Sequence, residues 1–179
     1  MAWLKYNDAP ILVDEIFNRD QPEQVNSYRK PHGFWITDDS EDCWRSWCLS
    51  NRFSLDRLVY KHEIDLDEGR ILILRNSYDV RRFARTYRVF KEWGPAHDPR
   101  KWTDVCIYWP NVAKDYAGLI ITPYQWSLRL EPGFEWYYGW DCASGCIWDV
   151  SAIRDIRVVE IDRDVASKAA PAWDAEVAA

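Results

Sequence analysis

Trp136-Tyr137-Tyr138-Gly139-Trp140-Asp141-Cys142-Ala143-Ser144-Gly145-Cys146-Ile147-Trp148-Asp149-Val150-Ser151-Ala152-Ile153 brings together aromatic rings, an acid between two tryptophans, two thiols and a run of very small residues. Two readings compete. Small residues admit a backbone or a ligand closely, and flat rings offer stacking faces, so Ala143-Ser144-Gly145 between Trp140 and Trp148 predicts a cleft lining. The other reading is a strand bend filled by core tryptophans, because an isolated glycine in a strand pattern marks a bulge. Composition alone favours the second. The acids Glu131, Glu135, Asp141 and Asp149 lie in or beside the stretch. Asp141, after Trp140, reads either as a partly desolvated carboxylate set against a cation or sugar hydroxyl, or as a turn aspartate bonded to its own backbone.

Outward from this stretch, the 179 residues predict one globular domain over 1–165 and a loose alanine-rich tail over 166–179. The 12 Trp and 10 Tyr far exceed their usual share and single out ring chemistry. A net charge of -6 argues against nucleic-acid binding through a positive surface. Arg75, Arg81, Arg82, Arg85, Arg88 and Lys91 give the middle of the chain a positive bias, read as a solvated helix face. The 5 cysteines form no small disulfide framework and suit a reducing cytoplasm. Cys43 and Cys48, and Cys142 and Cys146, are spaced too widely for a zinc knuckle, so no metal is expected. No long apolar run or leader pattern appears, which predicts a cytoplasmic protein without a membrane span.

Along the chain, Ile11 to Phe17 reads as a strand, and Phe34 to Thr37 as another after the Pro31-His32-Gly33 turn. Asp38, Asp39 and Ser40 read as N-caps of a helix carrying Cys43, Trp44, Trp47 and Cys48 on one face. Val59 to Leu66 alternates as a half-buried strand should, and Asp67-Glu68-Gly69 turns it into Arg70 to Leu74 as a hairpin. Ser77 reads as the cap of a helix over 78–87, followed by a loop over 94–101. Val105 to Trp109 reads as a strand, and Pro110 opens a helical turn to Tyr116. Leu119 to Thr122, Cys146 to Trp148 and Arg157 to Ile161 are further apolar runs, and 123–132 reads as an edge strand or loop. The class is α+β. Phosphate-cradling glycine loops, HExxH and GxSxG are absent, and of His32, His62 and His97 none adjoins a nucleophile; His62 reads as structural.

Three pieces, in order, resemble the ADP-ribosyltransferase pattern. Gly33 to Cys48, GFWITDDSEDCWRSWC, is similar to its strand of the form Gly-aromatic-aromatic-x-Ser/Thr leading into a helix. Val59 to Leu74 looks like the next pair of strands. KDYAGLIITPY and then GCIWDVSAIRDIRVVE resemble the family's later half, a Tyr-x-Gly-Ile strand before an aromatic strand ending in an Asp-x-Ser-x-Ile turn. The resemblance implies a split mixed sheet with few short helices that holds NAD in the crevice between its halves. It also implies transfer of ADP-ribose to a protein or nucleic-acid acceptor. Thr37 falls at the Ser/Thr position, Trp35 or Trp44 would offer a ring to the nicotinamide, and Trp140 and Ser144 join them among the NAD-binding candidates. Arg19, Arg29 and Lys30 are rival phosphate holders. Ser144 falls near the place of the family's glutamate, so the resemblance assigns the carboxylate to Asp141 or Glu135.

The chemistry fits those residue types. Cleaving the bond between nicotinamide and ribose passes through an oxocarbenium-like cation, which a fixed carboxylate stabilises and rings shelter from water. The rival class is a non-catalytic tryptophan-rich module for sugars, single-stranded bases or a protein partner.

Overall fold

Ile71-Leu72-Ile73-Leu74 (β4) and Gly118-Leu119-Ile120-Ile121 (β7), apolar at nearly every position, pair in parallel at one edge of a sheet. Unbroken apolar runs are the mark of strands covered on both faces. The computed structural model describes residues 2–23, 30–93 and 102–168. Around these two strands it sets five more: β1 (Trp3–Asn7), β2 (Phe34–Thr37), β3 (Tyr60–Leu66), β8 (Ser144–Ile147) and β9 (Ile153–Ile161). Their order is β4-β7-β8-β2-β1-β3-β9, and all contacts but the first are antiparallel. A separate two-stranded sheet pairs β5 (Arg88–Trp93) with β6 (Trp102–Ile107). Among the described residues, three helices complete the α+β architecture: α1 (Trp44–Asn51), α2 (Ser77–Tyr87) and α3 (Trp109–Asp115). None is long and apolar enough to cross a membrane.

The small residues of the opening stretch serve the sheet. β8 lies between β7 and β2 and is buried at all its positions. A β-carbon on Gly145 would meet the Ile120 side chain and lie 2.9 Å from the Leu119 carbonyl oxygen. Alternation along β7 and β8 then divides the core. Leu119, Ile121 and Cys146 face an aromatic cluster with Phe83, Trp109, Trp136, Tyr137 and Trp140, while Ile120 and Ile147 face a largely aliphatic cluster with Ile36, Ile64 and Ile153. A third cluster sets Leu4 and Tyr6 of β1 against Cys48 of α1, with Leu58 and Val165.

The join between β2 and β1 is thin. β1 pairs with β3 at five positions but with β2 only at Leu4 and Thr37. Beyond that pair Lys5 to Asn7 and Phe34 to Ile36 have no ladder partner in each other, so the sheet opens into a wedge there.

Several local readings are corrected by the packing. Ile11 to Phe17 is not a strand: Val13–Glu15 forms a 3-10 turn, the Leu12 N–H donates to Glu15, and Leu12 and Phe17 are exposed. The strand is Trp3–Asn7 instead. β3 and β4 do not form a hairpin, because β3 pairs with β1 and β9 while β4 crosses to the far edge beside β7. The alternating run and the continuous run thus occupy different environments. Asp38 does not cap α1. Its carboxylate accepts from the N–H and hydroxyl of Ser40 and from the Thr122 hydroxyl, and the helix starts later, at Trp44. α2 starts one residue earlier than the sequence places it, at Ser77, with Asn76 rather than Ser77 as the residue capping Asp79. The segment 123–132 follows a cis Thr122–Pro123 bond and contains a 3-10 turn, Trp126–Leu128. Val165–Lys168 forms a last 3-10 turn; the loop 94–101, His97 and the remaining tail lie outside the described residues.

His62 is a buried strut. The Ile11 N–H donates to its Nε2 at 3.0 Å, so the ring hydrogen sits on Nδ1, 3.2 Å from the Lys5 carbonyl oxygen. Burial holds its pKa below the ordinary 6.5. A folded-state pKa below the unfolded one means that the unfolded chain takes up the proton more readily. Stability from this group is therefore present above the unfolded value and is lost as pH falls through the folded one. In urea denaturation between about pH 7.5 and about pH 5, the parent is expected to lose more stability on acidification than His62→Gln. Equal losses would remove this role.

Candidate functional site

The wedge between β1 and β2 is a crevice of about 380 Å3, whose lining includes Lys5, Tyr6 and Asn7 from β1, Trp35 and Thr37 from β2, and Trp44 from α1. Lys30, Phe53, Ser54, Arg57, Asp141, Cys142 and Ser144 complete most of the rest. The volume suits a ligand of cofactor size. Lys5, Lys30 and Arg57 make the lining basic, and Asp141 is the one acid among its described residues. This local sign runs against a chain of net charge -6. Burial first, and then repulsion from Arg57, hold the Lys5 ammonium below its usual pKa.

Local structure explains how these groups converge. The Thr37 hydroxyl donates to the Ala143 carbonyl oxygen at 2.7 Å and accepts from the Trp44 N–H at 3.0 Å. One buried side chain thus ties β2 to the approach of β8 and to the first turn of α1. The end of α1 bends sharply, with Arg52 at φ 50° and Ser54 at φ 46°. Such left-handed positions cost non-glycine residues about 1–2 kcal/mol each. The bend carries Phe53, Ser54 and Arg57 to the crevice rim. Phe53 meets Trp44 and Trp47 edge-on, while Trp44 and Trp47 stack at 5.2 Å.

Asp141 is held by two cations, Arg129 at 3.3 Å and Lys30 at 3.7 Å. The Lys30 ammonium also lies 5.3 Å from the centre of the Trp35 ring. Cys142 is buried, and burial pushes its thiol up to about 12, which keeps it protonated and unreactive near neutral pH. The Ser144 hydroxyl donates to the Cys142 carbonyl oxygen at 3.0 Å. Among the described residues no group of three or more His, Cys, Asp or Glu could hold a metal ion.

Compared with known proteins, the chain matches no family model, no curated sequence and no solved structure. Function must therefore be argued from the crevice.

Of the residues singled out from sequence, Asp141, Thr37, Lys30, Trp35, Trp44 and Ser144 all line this crevice. Thr37 is 3% exposed and both its bonding roles are taken, so it positions its neighbours. The others named lie elsewhere. Glu135 belongs to the 3-10 turn Glu135–Tyr137, accepts from the Gly133 N–H, and is absent from the lining. Trp140 is fully buried behind Trp35, its ring edge-on at 5.0 Å. Trp148 is buried with its indole N–H bonded to the Tyr116 carbonyl oxygen. Arg19 is exposed, and its backbone N–H bonds to the Trp148 carbonyl oxygen. Arg29 lies outside the described residues.

Lys5 and Arg57 were missed. The Trp3-Leu4-Lys5-Tyr6 run carries strand-favouring aromatics that would have located β1, but nothing in the sequence near Arg57 signals its approach to residue 141.

Proposed function

We propose that the chain is an NAD-dependent mono-ADP-ribosyltransferase, which releases nicotinamide and passes ADP-ribose to a protein or nucleic-acid acceptor. One observation carries the reading: a basic crevice at a seam of the sheet, with two indoles and a single carboxylate among the described residues of its lining. The single-pair join of β1 and β2 supports the split mixed sheet of that family. An anionic diphosphate would relieve the repulsion between Lys5 and Arg57, with Lys30 as a third cation. Trp35 and Trp44 supply ring surface for the nicotinamide. Asp141 would face the positive charge that develops on the ribose as the bond to nicotinamide breaks. The electron pair of that bond leaves with the pyridine nitrogen, which becomes neutral. Five free, buried cysteines suit a reducing cytoplasm.

A second reading draws support from Asp141 itself: a carboxylate already paired with Lys30 and Arg129 suits a module that binds a nucleotide without turnover. Thermal unfolding with and without NAD, together with chromatography of released nicotinamide, separates the two. The transferase reading expects NAD to raise the melting temperature and nicotinamide to accumulate. The paired variant Lys5→Gln/Arg57→Gln is expected to weaken NAD binding by about tenfold or more. Stabilisation without release favours the binding module, and neither effect removes the NAD site.

A further inference from the structure

α2 buries Val80, Phe83 and Ala84 and turns its other face to solvent. Tyr78, Arg82 and Arg85 on that face are spaced so that they form one row, and Arg75 stands just before the helix start. All four residues are exposed. Directly beyond the helix Arg88 and Phe90, exposed as well, alternate on one face of β5, and the Arg88 guanidinium lies 5.2 Å from the centre of the Phe90 ring.

The charge of this stripe is left unanswered by its neighbours. Arg81, beside the row, is forked onto both oxygens of Glu131, whereas among the described residues no ion pair engages Arg75, Arg82 or Arg85. The acids on the same faces are Asp79, which accepts the Arg75 N–H at 3.0 Å, and Glu92 at the far end of β5. Four guanidiniums outnumber them, a local excess hidden by the whole-chain charge of -6. Forked guanidiniums pair well with phosphate oxygens. Tyr78 and Phe90, 64% and 63% exposed, set a ring at either end of the row Arg82, Arg85, Arg88, where unstacked bases can lie. A lipid surface fits less well, because a helix lying on a membrane inserts its apolar face, and that of α2 is taken up by the core.

We propose that this stripe is a binding surface for single-stranded nucleic acid, with phosphates held by Arg75, Arg82, Arg85 and Arg88 and bases stacked on Tyr78 and Phe90. α2 has 11 residues and is about 16 Å long, so the row spans several nucleotides. None of these residues is among the described lining of the crevice, so the surface stands whether or not the chain turns over NAD.

Fluorescence anisotropy of a short labelled oligothymidylate tests the surface, with a duplex of the same length, polyglutamate, and vesicles of phosphatidylcholine and phosphatidylserine as rival ligands. The oligothymidylate is expected to bind, with a slope of log affinity on log salt of about -3, the value for about four phosphates on a single strand. Arg82→Gln/Arg85→Gln is expected to weaken binding about tenfold at low salt and to make the slope shallower by about 1.4. Tyr78→Ala is expected to weaken binding about fivefold and to keep the slope, since stacking releases no counterions. The crevice variant Lys5→Gln/Arg57→Gln is expected to leave this affinity within about twofold. Should the double arginine variant fail to fold, Arg75→Gln, outside the helix, takes its place with a slope shallower by about 0.7. Any of four results overturns the proposal: no binding, indifference to the arginine or Tyr78 variants, tighter binding of a rival ligand, or loss of binding in the crevice variant. Failure of the NAD reading has a different signature, since the oligothymidylate would still bind and still respond to Arg82→Gln/Arg85→Gln.

Discussion

Asp141→Asn is expected to slow nicotinamide release from NAD by about 100- to 1,000-fold, the usual cost of removing one preorganised group from a developing charge. The substitution keeps shape and removes charge. Asp141 is the one acid among the described residues of the crevice lining, and none of the other described residues there is a carboxylate that could take over the proposed chemistry. Its two ion pairs join partly exposed groups, with side-chain exposures of 26% for Asp141, 39% for Lys30 and 24% for Arg129. Pairs of that kind contribute about 0–1 kcal/mol, so the melting temperature should move little. Single-turnover release, measured beside the NAD affinity, separates the chemical step from binding. The companion variant Glu135→Gln should leave release nearly unchanged, because Glu135 is absent from the lining. If Asp141→Asn releases nicotinamide at the parent rate, the charge-stabilising role does not belong to Asp141.

Much of this site was legible because its parts sit on short segments with strong local patterns. Phe34 to Thr37 and α2 follow from β propensity and helical spacing, and both are present where those patterns place them. The α+β class follows from the mixture. What failed was long-range assignment. β3 and β4 are close in sequence and each reads as a strand, yet each pairs with strands distant in sequence: β3 with residues 3–7 and 153–161, and β4 with residues 118–121. Asp38 has a good capping side chain, but Thr122, distant in sequence, provides a competing partner. Arg57 reaches the crevice through two left-handed backbone positions that neither Arg52 nor Ser54 announces. The aromatic stretch was ambiguous for a physical reason as well: a tryptophan packs equally well against a ligand or against another tryptophan, and only burial distinguishes them.

That ambiguity makes Trp136→Ala the second large expected effect, on stability rather than on chemistry. Trp136 is fully buried, with ring centres of Phe83 and Tyr137 at 5.5 Å, Trp109 at 6.3 Å and Phe134 at 6.4 Å. Phe83 comes from α2 and Trp109 from α3, so this one ring joins both helices to the turn Glu135–Tyr137. Removing it takes out one of the four buried tryptophans of the cluster and leaves a cavity that three separate elements must collapse to fill. The expected loss is about 3–5 kcal/mol, or about 6–20 °C in melting temperature for a chain of this size. Trp136→Phe should lose much less. Its ring keeps most of the contacts, and the indole nitrogen that it removes is buried without a hydrogen-bond partner, an arrangement that itself costs about 1–3 kcal/mol. Calorimetric unfolding of both variants, with NAD binding measured on the folded protein, gives opposite answers for a structural and a ligand-facing tryptophan. A ligand-facing ring would lower affinity and spare the melting temperature, and would place the binding surface on the α2 side of the sheet instead of in the wedge between β1 and β2.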